Sequence, residues 1–96
     1  MINMKKVEII IESIYINRLL ELLEGHNITG YTIIKDIAGR GGHGLKTADD
    51  FTDVFSNNYL FAVCEEEKYL NMQEDIRGFI KKYGGKCIVT DVMLLK

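Results

Sequence analysis

The chain has no proline and no tryptophan, and only two cysteines, Cys64 and Cys87. Without proline, the ends of its regular elements have to be read from glycine and from capping residues. The two cysteines form neither a CxxC pair nor a metal-ligand spacing, and both sit inside apolar β-like runs, so they read as small buried hydrophobes. No apolar run approaches the roughly 18–20 residues of a membrane span. Met1 to Lys6 lead into strand-like residues, with no small-residue cleavage site of a secretory signal, so a cytoplasmic protein without direct membrane insertion is expected. Neither sign of charge dominates: 12 basic residues face 14 acidic ones, for a net charge of −2, whereas nucleic-acid binding usually shows a basic excess. No Ser/His/Asp or Cys/His constellation can be assembled, so no catalytic residue is assigned and a non-enzymatic role is expected.

The 96 residues, 47% hydrophobic and 27% charged, suit a single domain spanning 1–96 with one two-layer core. Residues 6–11 (Lys-Val-Glu-Ile-Ile-Ile) are rich in β-branched side chains and read as a buried strand. Ser13 is placed to cap a helix over 14–24, on which Ile16, Leu19, Leu20 and Leu23 recur at helical spacing. Gly25 is expected to end it in the left-handed conformation. Residues 29–37 read as a second strand and 57–64 as a third; residues 67–83 read as a second helix marked by Tyr69, Ile76, Phe79, Ile80 and Tyr83; residues 86–94 read as a fourth strand. Glu65, Glu66 and Glu67 suit the positive end of the second helix dipole, and Gly84 and Gly85 stop it. This order predicts an α+β, ferredoxin-like βαββαβ sandwich, a four-stranded antiparallel sheet with two helices on one face. Apolar residues on both faces of the strands (Ile9, Ile10 and Ile11; Ile33 and Ile34) predict an oligomer closed through the second sheet face.

Between strands two and three lies a segment without clean periodicity, expected as a long loop over 38–55. Compact domains seldom carry such loops unless they serve a function or are disordered. Gly39, Gly41, Gly42 and Gly44 supply four of the nine glycines. Clustered glycine lets backbone N–H groups converge on a ligand such as phosphate, and Arg40, Lys46 and Lys86 can add charge, with His43 a further hydrogen-bonding group. A ligand-free hairpin tip is the plain alternative. The G-x-G-x-x-G spacing of Gly39 to Gly44 is not a dinucleotide fingerprint, because the helix and parallel βαβ unit that motif needs do not follow. Further along, Asp49, Asp50 and Asp53 interleave with Phe51, Val54 and Phe55, a pattern that suits either partner docking or a solvated turn. His26 reads as a polar turn residue.

Ile28-Thr29-Gly30-Tyr31-Thr32 entering strand two, then Gly39-x-Gly41, then Gly85-Lys86 opening strand four with Val89-Thr90-Asp91-Val92 behind it, resembles the PII signalling proteins. The resemblance runs over about residues 5–94. It implies a homotrimer of ferredoxin-like subunits that binds an adenine nucleotide in the clefts between neighbours. It also implies a long T-loop that engages a transporter, enzyme or regulator. On this resemblance Gly39, Arg40, Gly41 and Gly42 lie at the nucleotide-binding base of the loop, and Gly85 and Lys86 reach the phosphates. His43 and Lys46 are additional candidate contacts, and Asp49, Asp50 and Phe51 belong to the partner-binding loop. ATP, ADP, AMP or cyclic AMP would act as effector, with no obligatory cofactor and no metal.

The segment 38–55 has no tyrosine, so tyrosine nucleotidylation is not available there. The short loop and the short tail after strand four are more like the divergent PII-like proteins, such as regulators of bicarbonate transport. A second class of function also fits the residues: a metal-binding or small-metabolite-sensing ferredoxin-like module of the divalent-cation-tolerance or amino-acid-sensing type, with His43, Asp49, Asp50 and Asp53 as candidate ligands.

Overall fold

The β-branched N-terminal run forms strand β1 (Ile2–Glu12), whose side chains alternate between the two sides of a sheet. Val7, Ile9 and Ile11 are buried on one side, while Lys6, Glu8 and Ile10 occupy the other. The structure, a computed structural model, describes the backbone of residues 1–41, 44–46 and 56–96, and the side chains of 1–38 and 56–96.

A 3-10 turn (Ser13–Tyr15) leads into α1 (Ile16–Gly25). Ser13, the expected cap, lies inside that turn; Tyr15 holds the N-cap position, and its side chain makes no cap bond. Gly25 is the last helical residue and not the left-handed one. That conformation falls two positions later, on Asn27 (φ 61°). The N–H of Asn27 donates to Glu24 O (2.9 Å) and that of Ile28 to Leu23 O (2.9 Å), the paired bonds of a Schellman closure. Asparagine tolerates left-handed backbone better than most residues, and burial of Ile28 against the core offsets the cost of the turn.

Strand β2 (Thr32–Ile37) starts three residues later than expected from the sequence. The anticipated loop then opens with regular structure: β3 (Gly39–Gly41) and β4 (Gly44–Lys46) pair antiparallel as a separate two-stranded ribbon. Strand β5 (Asn57–Cys64), α2 (Glu66–Tyr83) and β6 (Lys86–Leu94) follow, close to the limits read from the sequence. The main sheet has the order β2-β5-β1-β6, antiparallel throughout. This is the α+β ferredoxin-like arrangement.

Both helices cover one face. Leu19 and Leu23 of α1 and Met72, Ile76 and Phe79 of α2 pack on Val7, Ile9, Ile11, Leu60, Ala62 and Cys64. Each fully buried Leu, Ile or Met side chain stabilises the fold by about 1.5–3 kcal/mol. Met72 has no exposure at all and is the central α2 contact that the aromatic pattern had not marked. The helices are also tied to each other. His26 Nε2 lies 2.7 Å from Asp75 Oδ2, and Lys68 Nζ donates to Asn27 O at 3.0 Å. No helix among the described residues is long and apolar enough to cross a membrane.

Candidate functional site

The turn from α2 into β6 is two residues long, Gly84 and Gly85, and both have positive φ (82° and 97°). Gly84 N–H closes the helix on Ile80 O at 2.8 Å. Gly85 crosses directly over β1: a Cβ there would lie 2.5 Å from Ile10 O and 2.9 Å from Ile11 Cδ1. Glycine is thus required by contact as well as by backbone angle. Lys86, exposed, then enters the sheet paired with Ile10.

The other glycine segment leaves the opposite edge. Ile34 pairs with Tyr59 and Ile37 with Asn57, so Lys35 and Asp36 together oppose Asn58, a β-bulge. Immediately beyond it, Gly39 pairs with Lys46, Arg40 with Leu45 and Gly41 with Gly44. Gly42, His43, Asp49, Asp50 and Phe51 lie outside the described residues, as does Asp53, so this structure does not address the candidate metal ligands. Among the described residues, no group of three or more His, Cys, Asp or Glu could hold a metal ion.

Register fixes how the two segments relate. Ile34, Tyr59, Ile10 and Lys86 form one row across the sheet. The edge strand β2, which leads into the glycine ribbon, and the start of β6 at Lys86 are therefore on opposite edges, three strand spacings or roughly 14 Å apart. Within one chain, the strand that leads to Arg40 and the strand that begins with Lys86 are separated by β5 and β1.

The face between them carries chemistry that sequence reasoning did not single out. Tyr59 donates to Glu8 Oε2 at 2.5 Å, and that bond, with burial second, pushes the phenol up to about 12. Lys6 Nζ stands 5.0 Å from the Phe61 ring centroid and 4.0 Å from Glu8 Oε2. The alternation of Lys6 and Glu8 with Val7 and Ile9 was the available signal. Ile34 and Ile88 are about half exposed here, at 53% and 47%, so the face mixes exposed apolar side chains with the Lys6–Glu8–Tyr59 cluster and with Thr32, Lys86 and Thr90.

At the far end of the sheet, Asn3, Met4, Lys5, Glu66, Asp91, Val92 and Met93 line an open cleft. Lys5 donates to Asp91 and lies 3.6 Å from Glu66; the Asp91 bond chiefly raises its pKa. Cys64 is buried and Cys87 half-buried, and burial pushes both thiols up, away from nucleophilic reactivity.

The profile of the nitrogen regulatory protein P-II family matches residues 4–95. The chain belongs to the P-II family. Among solved structures it is similar to CPII, a nitrogen regulatory PII-like protein from Thiomonas intermedia K12, bound to ADP, AMP and bicarbonate. The two are 26% identical over 97% of this chain and 89% of that one, with a TM-score of 0.88. The apo form of CPII superposes with a TM-score of 0.78 at 25% identity, covering 97% of this chain and 92% of that one. A protein from Thermus thermophilus described as PII-like and signalling matches with a TM-score of 0.78 at 25% identity, over 98% and 91% of the two chains. No curated protein matches by sequence. Within this P-II fold, the aromatic and charged residues at 6, 8, 59 and 61 line the sheet face between the two glycine segments.

Proposed function

We propose that this P-II family chain is a non-enzymatic, cytoplasmic regulator that assembles as a homotrimer. It binds an adenine nucleotide in clefts between subunits and controls a transporter or enzyme through the segment 38–55. One observation carries the reading. The strand that leads into the Gly39–Gly41 segment and the strand that begins with Lys86 lie on opposite edges of the sheet. A cleft built from both would combine the edge of one subunit with the other edge of its neighbour. Exposed Ile34 and Ile88 on the second face of the sheet offer apolar surface on which subunits would pack. Similarity to CPII, solved with ADP and AMP, supports an adenylate as the effector.

In this reading Gly39, Arg40, Gly41 and Gly42 lie at one side of the phosphates and Gly85 and Lys86 at the other, with His43 and Lys46 as further contacts and Asp49, Asp50 and Phe51 facing the partner. The work is linkage: the nucleotide favours one arrangement of the segment, and that arrangement sets partner affinity. A thermal-shift and calorimetric series with ATP, ADP, AMP, cyclic AMP and adenosine tests it, because a ligand of the native state raises the melting temperature by mass action. A flat response to every adenylate would remove the function; a monomeric mass of 11.0 kDa in solution would remove the clefts.

A further inference from the structure

The bulge at the end of β2 holds an unusual residue. Asp36 has φ 58°, left-handed backbone that a non-glycine residue adopts at a cost of order 1–3 kcal/mol unless its surroundings hold it there. Its N–H donates to the side chain of Asn58, Oδ1 at 3.3 Å. Asn58 is almost fully buried, at 3% exposure, on the helix-facing side of β5. A polar side chain there serves no packing need that leucine or valine would not serve better. Two residues before it, Ser56 is also buried, and its Oγ has no hydrogen-bond partner among the described residues. Ser56 O meanwhile accepts from Ser13 N at 2.8 Å, so this strand entry is fixed to the end of β1.

A left-handed residue and the buried amide that holds it thus meet at the bulge, with a buried, unsatisfied hydroxyl two residues before that amide on β5. Asp36 lies three residues before Gly39. With a plain ladder, one residue of β2 would oppose Asn58. Instead there are two, Lys35 and Asp36, and every residue beyond is displaced by one position and turned by the bulge. The extra residue decides where Gly39 to Gly41 emerge from the sheet and which way their N–H groups face.

We infer that Asn58 is a positioning residue for the Gly39–Gly41 side of the nucleotide site, acting through Asp36. It holds the left-handed bulge that aims the glycine ribbon. The inference rests on the nucleotide-binding reading for its consequence, not for its geometry. Removing the Asn58 acceptor lets Asp36 relax toward ordinary extended backbone and shifts the ribbon; glycine at position 36, to which left-handed backbone is natural, lets the bulge persist without Asn58.

The test compares wild type, Asn58→Ala, Asp36→Gly and the double variant by two readouts: amide chemical shifts of Gly39, Arg40 and Gly41 without ligand, and calorimetric titration with ADP. Asn58→Ala should move those amides and weaken ADP by about 5- to 30-fold, the effect of a small positional free energy. The double variant should return the amides to near their wild-type positions and recover most of the affinity, while Asp36→Gly alone stays close to wild type. If Asn58→Ala fails to fold, Asn58→Leu, of similar size and without an acceptor, replaces it in the same comparison. Should glycine at position 36 not rescue, or should the amides stay put in the Asn58 variant, Asn58 is a stability residue and the inference is wrong. Should wild type not bind ADP, the nucleotide reading falls, and the ligand-free amide shifts still decide whether Asn58 aims the ribbon.

Discussion

Gly85 and the carbonyl of Ile10 approach so closely that a Cβ on residue 85 would lie 2.5 Å from the oxygen. Gly85→Ala should therefore destabilise through both contact and a φ of 97°, by about 1–3 kcal/mol. Gly84 has a φ of 82° but nothing within 4 Å of a Cβ, so Gly84→Ala should cost less, about 1 kcal/mol. Urea denaturation of both variants checks the order; an equal or larger loss at Gly84 would contradict the close approach.

Tyr59 should titrate late. Its phenol is pushed up to about 12 by the bond to Glu8 and by burial, against about 10 in an unfolded chain. Because the folded value is the higher one, the stabilisation is complete below about pH 10 and is lost as pH rises toward 12. Ultraviolet titration of wild type and Tyr59→Phe should differ by one phenol that ionises toward pH 12. A wild-type curve with all tyrosines ionising together near an ordinary pH of about 10 would exclude the Glu8–Tyr59 bond.

Lys86→Ala should weaken ADP binding while leaving the fold intact. A hydrogen bond to a charged group contributes roughly 1.5–3 kcal/mol, or about 10- to 150-fold in affinity. Adenosine, lacking phosphate, should lose little. Arg40→Ala should weaken ADP as well, by a smaller factor. Equal ADP affinities for wild type and Lys86→Ala would take Lys86 out of the site.

Clefts shared between subunits should complement. In the proposed trimer, Lys86→Ala and Arg40→Ala chains mixed and reassembled should form some clefts in which the intact Lys86 edge meets the intact Arg40 edge. Calorimetry should then find a fraction of sites with wild-type affinity, absent from either variant alone. A mixture that behaves as the sum of the two variants, with subunit exchange confirmed by mass spectrometry, would place each site within one chain.

Much of the frame was legible because the strong signals are local. β-branched runs, the helical recurrence of Leu19 and Leu23, and the glycine pair after Tyr83 located α1, β5, α2 and β6 closely, whereas β1, expected over 6–11, starts four residues earlier at Ile2, where pairing with β6 extends it. The errors came from effects a local pattern does not encode. Gly25 was the obvious left-handed stop, yet the closure used Asn27, because burying Ile28 on the core fixed which residue had to turn. The start of β2 depended on which residues β5 could pair, and the Asp36 bulge depended on a buried amide 22 positions away. Gly39, Arg40, Gly41, Gly85 and Lys86 were picked out as residues, but their separation across the sheet is a property of strand order. The Glu8–Tyr59 and Lys6–Phe61 pairs are likewise cross-strand neighbours with no sequence proximity.

β6 is held to β1 along nine consecutive register pairs, from Ile2 with Leu94 to Ile10 with Lys86, whereas the Gly39–Gly41 ribbon is held by three pairs of its own and joins the main sheet through an interrupted strand. Amide protons in the middle of β6 that bond to β1 should exchange more slowly than those of the ribbon, which opens with much less of the structure. In the proposed cleft, one wall would be firmly held and the other more easily moved. Nucleotides of different phosphate length would there meet Lys86 on a long continuous pairing and Gly39 to Gly41 on a short one.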